Sequence, residues 1–296
     1  MTDDEYLQKV LEEQTLAKDS DEMAKLEQHR KDVEALLKKE FGSGPKLREG
    51  GSKAKGTMVK EAYDLDLPYY FARDDESAGK TIREIFERVE TALQRSYRTR
   101  RKGVAVRLLD CEQGTDFHVD VAPGRYVDGD DGDAFLYPST SDKERLQTNL
   151  ETHVRHVRDS GSTGAVRLLK IWRARRNIEV KTFALELLTI DILVDKKKLA
   201  LPDQLKAVWT EFRDNLQNRT ITDPANSNND LSEMLNSGVR QQLRDAARDT
   251  LRTIEQDGWK AVFGELEEEK KAARAEALRR VALSSPSPAR PWCRGS

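Results

Sequence analysis

Cysteine is nearly missing from these 296 residues: the two present are Cys111 and Cys293. Two are too few for a disulfide framework, and with His29, His118, His153 and His156 they show no zinc-ligand spacing, which agrees with a reducing compartment. No apolar run reaches the roughly 18 residues that span a bilayer. The opening MTDDEYLQKV has neither the basic nor the apolar region of a secretion signal, so the expected location is the cytoplasm, away from any membrane. An excess of one charge is also lacking. Lys plus Arg is 51 and Asp plus Glu 53, a net charge of −2, which excludes coating of nucleic acid by bulk charge. At this length about three quarters of the unfolded surface can be buried. The apolar residues gather in periodic segments, as a folded chain requires.

Residues 1–41 carry Leu7, Val10, Leu11, Met23, Leu26, Val33, Leu36 and Leu37 among dense Glu and Lys, a spacing that predicts one or two amphipathic helices. GSGP at 42–45 ends them. Over 42–144 the period shortens. Strands are expected at 63–71, 104–109, 117–121 and 134–137, with one helix within 77–97 whose Ile82, Ile85, Phe86, Val89 and Leu93 face a sheet. Residues 145–282 read as helical almost throughout, broken at GSTG (161–164), near Arg176 and Asn177, at Pro202 and at DPANSNN (223–229). Residues 283–296, rich in Pro and Ser, read as a flexible tail. The fold class is α+β, with a helical second half.

The chemistry concentrates in GGSKAKGTMVKEAYDLDLPYYF, residues 50–71. Side chains alternate across a strand, so Asp64 and Asp66 share one face while Tyr63, Leu65 and Leu67 share the other. Two carboxylates pointing together repel unless a cation lies between them, and hard oxygen ligands on a strand suit Mg²⁺. In Phe117-His118-Val119-Asp120-Val121 the same alternation leaves Asp120 on the polar face of a neighbouring strand, a third acid. Taken alone, Asp-x-Asp is equally the wet face of a half-exposed sheet. The residues upstream favour a site. Gly50, Gly51 and Ser52 permit close backbone approach, and AKGTMVK can begin a short helix whose free N–H groups, with the Ser52 hydroxyl, cradle a phosphate.

A Gly-Ser turn, an Asp-x-Asp strand and a later third Asp, here Gly51-Ser52, Asp64-Leu65-Asp66 and Asp120, resemble the nucleotidyltransferase superfamily that includes DNA polymerase β. RLLKIWR (167–173), KTFALELLTI (181–190) and ITDPANSNNDL (221–231) narrow the resemblance to the oligoadenylate synthases and the cGAS/DncV-like nucleotidyltransferases, over residues 45–265. The resemblance implies a polymerase β-like core of mixed sheet and helices, a helical C-terminal lobe and a central cleft. It implies two Mg²⁺ ions, replaceable by Mn²⁺, on Asp64, Asp66 and Asp120. Lys170 is expected to reach the triphosphate with help from Thr182, beside Gly51 and Ser52. The implied substrates are nucleoside triphosphates, ATP or GTP among them, and the implied product is a cyclic or linear oligonucleotide messenger of bacterial antiphage signalling. A product-sensing effector protein and a regulatory partner would accompany it, and the N-terminal helices would brace both lobes. Lys53 stands where the family often has an aromatic residue. The rival readings are an RNA 3′-end tailing enzyme and a catalytically silent nucleotide- or RNA-binding regulator.

Lesser signals have plainer explanations. Lys170 beside Trp172 also fits a snorkelling surface lysine. Arg95, Arg98, Arg100, Arg101 and Lys102 read as the basic C-terminus of the sheet-packing helix, or as a nucleic-acid patch. Arg155, Arg158, Arg167, Arg173, Arg175 and Arg176 form a second basic set beside the expected cleft, and His118 shares the face of Asp120.

Overall fold

The computed structural model describes residues 1–109, 111 and 117–284. Helix α1 (Asp3–Glu13) begins with a capping box between Thr2 and Glu5, and α2 (Asp21–Phe41) is capped by the Ser20 hydroxyl. The two helices pack in different places. Leu7, Val10 and Leu11 of α1 join the core of the helical half, whereas Leu26, Val33 and Leu37 of α2 join the core beneath the sheet. A short helix, α3 (Gly51–Lys55), follows, closed by Gly56 in the left-handed conformation. It starts three residues earlier than expected, at Gly51 itself.

Seven strands form one mixed sheet: β1 (Lys46–Leu47), β2 (Leu65–Phe71), β3 (Thr99–Lys102), β4 (Ala105–Leu108), β5 (Val119–Asp128), β6 (Asp131–Leu136) and β7 (Leu146–Thr148). The order is β1-β2-β5-β4-β3, with β6 and β7 added along the far part of β5. The central pair β2 and β5 is parallel. Helix α4 (Ile82–Leu93), capped by a Thr81–Glu84 box, buries Ile85, Phe86, Val89 and Leu93 against the sheet. It ends at Leu93; Arg95 lies in the turn that closes it and pairs with Glu40, and the basic run from Arg100 on belongs to an edge strand. Thr99 to Lys102 pair with Leu108 to Ala105. The reading of the basic run as a helix terminus therefore holds for Arg95 and is corrected for Arg100, Arg101 and Lys102: charge along an edge strand protects its open side, so a strand can look as polar as a helix end. Strand β5 also continues through Pro123 to Asp128, past the expected end at 121.

The second half holds α5 (Leu150–Arg158), α6 (Thr163–Arg175), α7 (Thr182–Ile192), α8 (Leu201–Asp214), α9 (Ser237–Asp257), α10 (Lys260–Phe263) and α11 (Glu267–Ser284). Trp172, Trp209 and Phe212 are fully buried at its centre, where the Trp172 indole donates to Thr250 Oγ1 at 2.8 Å. Pro202 interrupts nothing, because it lies in the first turn of α8, where a missing N–H leaves no hydrogen bond unmade. DPANSNN contains a small hairpin, β8 (Thr222–Asp223) with β9 (Asn226–Asp230), turned by Asp223 accepting from the Ala225 N–H at 2.9 Å. No helix among the described residues is long and apolar enough to cross a membrane. Of the tail expected over 283–296, Leu283 and Ser284 belong to α11, and the rest, with Cys293, lies outside the described residues.

Candidate active site

A cleft of about 910 Å³ opens between the sheet and helices α5, α6 and α7. Gly51, Ser52, Asp64, Asp66, Asp120, Lys170 and Thr182 all line it. Strand register explains the meeting of the acids. Asp66 stands opposite Asp120 in the parallel β2–β5 ladder, and Asp120 stands opposite Arg107 in the antiparallel β4–β5 ladder. These three side chains therefore form one row across three strands, on one face. Asp64, two residues before Asp66, shares that face.

Neither the Asp64 nor the Asp66 carboxylate has a hydrogen-bond or ion-pair partner among the described residues. Burial, then the charges of Asp120 and Asp64, pushes Asp66 up to about 6. Burial likewise raises Asp64, against a lowering pull from His118. Two unpartnered carboxylates that resist ionisation side by side are a donor set that fits a hard divalent cation. Asp120 differs. Arg107 Nε donates to its Oδ1 at 2.8 Å and Nη2 to its Oδ2 at 2.7 Å, and Lys102 Nζ is 3.8 Å away. Among the described residues no group of three His, Cys, Asp or Glu is gathered as metal ligands. The three acids share the cleft, two of them open and one engaged.

The Gly-Ser turn touches this row directly. Gly51 has φ +54°, and a β carbon on it would stand 1.6 Å from Asp66 Oδ2. The Gly50 N–H donates to the Asp66 carbonyl at 2.9 Å. Lys53, in contrast, pairs with Glu49 and does not line the cleft.

Lys170 is buried, which removes the surface-snorkel explanation. Its Nζ donates to the Thr57 carbonyl at 2.8 Å, and burial pulls its pKa down to about 8 against the raising effect of Glu186. Glu186, also buried, accepts from Lys55 Nζ at 2.7 Å and from Thr57 Oγ1 at 3.0 Å. Lys55 lies 4.4 Å over the Phe183 ring. These contacts join α3 of the sheet half to α6 and α7 of the helical half. Sequence reasoning missed Lys55, Glu186 and Arg107. Only Arg107 left a signal, as the charged interruption of an otherwise apolar VAVRLL strand.

On the far wall His153 Nε2 is 2.6 Å from Asp223 Oδ1, and its ring packs 4.9 Å from Phe183. His118 lines the cleft with its Nδ1 buried and without a hydrogen-bond partner. Of the second basic set, Arg173 and Arg175 reach the cleft, while Arg167 bonds Leu11 and Thr15 and Arg158 bonds Asp159. In the edge strand, Lys102 lines the cleft and Arg101 turns to Glu90 of α4.

No protein-family model matches the sequence, and no curated protein matches it. Solved structures match over most of the chain. CdnC of E. coli MS115-1 with ATP superposes with a TM-score of 0.66 at 20% identity, covering 89% of this chain and 98% of that one. CdnG of Bradyrhizobium diazoefficiens, a CD-NTase in complex with GTP, gives 0.67 at 13%, covering 93% and 99%. Vibrio cholerae DncV, a cyclic AMP-GMP synthase and prokaryotic cGAS homolog, gives 0.58 at 13%, covering 89% and 85%. The chain has the fold of the cGAS/DncV-like nucleotidyltransferases. In this CD-NTase fold the α+β core and the helical C-terminal region enclose the cleft described above.

Proposed function

We propose that the protein is a nucleotidyltransferase that joins nucleoside triphosphates with release of pyrophosphate. The close approach of Gly51 to Asp66 carries the reading, because a Gly-Ser turn lies directly against the open acid pair. Gly51 and Ser52 would receive the triphosphate from the sheet side and Lys170, with Thr182, from the helical side. A compact ammonium held between lobes suits a polyanion. Asp64, Asp66 and Asp120 would hold Mg²⁺ or Mn²⁺, which when bound neutralises the leaving pyrophosphate and activates the attacking hydroxyl. Asp120, at the Arg107 end of the row, would take the proton of that hydroxyl. The cleft walls would hold donor and acceptor in line.

The acceptor we assign is a second nucleotide, giving a cyclic or linear oligonucleotide messenger in antiphage signalling, sensed by an effector protein in the cytoplasm. The fold supports this reading, since its relatives include cyclic dinucleotide synthases, a complex of CdnC with a HORMA protein, and complexes with ATP and GTP. The test is incubation with four labelled ribonucleoside triphosphates and Mg²⁺ or Mn²⁺, first without RNA and then with total RNA added. Phosphatase-resistant products that disappear in the Asp64→Asn/Asp66→Asn variant are expected. Label transferred only to added RNA would make the protein a tailing enzyme, and bound nucleotide without pyrophosphate release would make it a silent binder.

A further inference from the structure

The third acid of the row is not open. Arg107 and Asp120 are both buried, 4% and 7% exposed, and they meet through two parallel hydrogen bonds of 2.8 and 2.7 Å. A bidentate guanidinium–carboxylate pair out of water is among the strongest side-chain contacts, and separating it leaves two buried charges uncompensated. The contact is built into the sheet, because residues 107 and 120 face each other in the β4–β5 register. Asp66 is the next residue in the same row and has no such partner. A divalent cation approaching Asp64 and Asp66 therefore meets two carboxylates with no direct contact to break, the positive charges of Lys55, Lys170, Arg107 and Lys102 acting on them only from a distance. A cation approaching Asp120 meets a guanidinium already bonded to both of its oxygens, with the Lys102 ammonium 3.8 Å from one of them.

We propose that Arg107 is a positioning residue that makes the Asp120 cation site conditional: the free protein takes one divalent ion at Asp64 and Asp66, and a second at Asp120 only when a bound nucleotide's phosphate draws Arg107 away. The inference rests on the nucleotidyltransferase reading and adds an order of assembly to it. An anionic phosphate is the ligand class able to compensate the guanidinium once Asp120 is given up. The attacking hydroxyl is then activated only in a cleft that already holds nucleotide.

The test counts Mn²⁺ bound per nucleotide-free chain, from the resonance signal of the free ion, for wild type, Arg107→Gln, Arg107→Lys and Asp66→Asn, with a thermal melt of each. Wild type is expected to bind one tight ion, lost in Asp66→Asn. Arg107→Gln is expected to bind two, the second at least about tenfold tighter than in wild type. Arg107→Lys, whose ammonium cannot bond both oxygens in parallel, is expected to fall between them. Should Arg107→Gln fail to fold, Arg107→Lys decides alone, and the double variant Arg107→Gln/Asp120→Asn is expected to fold and bind one ion. Two ions of equal affinity in wild type, or a second-ion affinity unmoved by either Arg107 substitution, would overturn the proposal. Absence of any Mn²⁺ binding sensitive to Asp66→Asn would instead overturn the metal-dependent reading of the site.

Discussion

Gly51 and Asp66 occupy adjoining space with no room for a side chain between them: a β carbon at 51 would fall 1.6 Å from Asp66 Oδ2, on a backbone at φ +54°. Gly51→Ala therefore carries two penalties. The left-handed conformation costs an L-residue about 1–2 kcal/mol. The methyl group also evicts the carboxylate from its place. Misplacement of about 1 Å at such a site can cost about 100-fold in rate. The expected result is a folded protein with a lower melting temperature and at least about 100-fold less pyrophosphate release. An active Gly51→Ala variant would separate the turn from the chemistry.

Asp64→Asn/Asp66→Asn removes two carboxylates whose ionisation burial and mutual repulsion oppose. Activity should vanish. The melting temperature at pH 7 should hold or rise, because charges that repel one another contribute nothing favourable to the free fold. A clear fall in melting temperature would make the pair structural.

Lys170 supplies a pH dependence with a definite sign. Burial lowers its folded pKa from 10.5 to about 8, so the folded state binds this proton more weakly than the unfolded chain does. Its contribution to stability is thus present above pH 10.5 and lost as pH falls through 8. Lys170→Met should melt higher than wild type at pH 7, by an amount that shrinks between pH 8 and 10. It should also raise KM for the triphosphate. An unchanged KM would remove Lys170 from substrate binding, and a stability gap that does not change with pH would remove the buried charge as its source.

Glu186 is the shared partner of Lys55 and Thr57, and breaking one side of a buried ion pair costs about 3–5 kcal/mol. Glu186→Gln should destabilise strongly, while Lys55→Met added to it should recover part of the loss by removing the stranded ammonium. Chemical denaturation of the two single variants and the double variant gives the coupling energy. Additive losses would mean that the two groups do not act as a pair.

Sequence pattern reveals those parts of the site that lie within one stretch of chain. Asp64 and Asp66 are legible because a strand alternates its faces, and Asp120 because its own strand does the same. Gly51 and Ser52 are legible because a turn so close to the acids has a chemical use. Lys55 and Glu186 are not, since 131 residues separate them and each alone looks like an ordinary helical charge. Arg107 is nearer to Asp120 in the chain, but only the pairing of β4 with β5 turns it from an interruption of an apolar strand into the partner of an acid. The edge strand β3 is hidden for a different reason. Its four residues, Thr-Arg-Arg-Lys, carry the charge that open edges favour, and no apolar alternation is left to read.

The separation of α1 from α2 bears on how the chain comes to be folded at all. The apolar stripe of α1 is made well before most of the residues that cover it, which run from Ala165 to Leu266. The sheet half, including α2, draws its core from residues 26 to 136 and can close well before that. During synthesis, then, a nearly finished sheet half is preceded by an uncovered helix, and contacts spanning that much sequence form slowly. Completion of the helical half is the event that retires this sticky segment, so a chain stalled or cut before it is a candidate for chaperone capture or aggregation rather than a smaller stable unit.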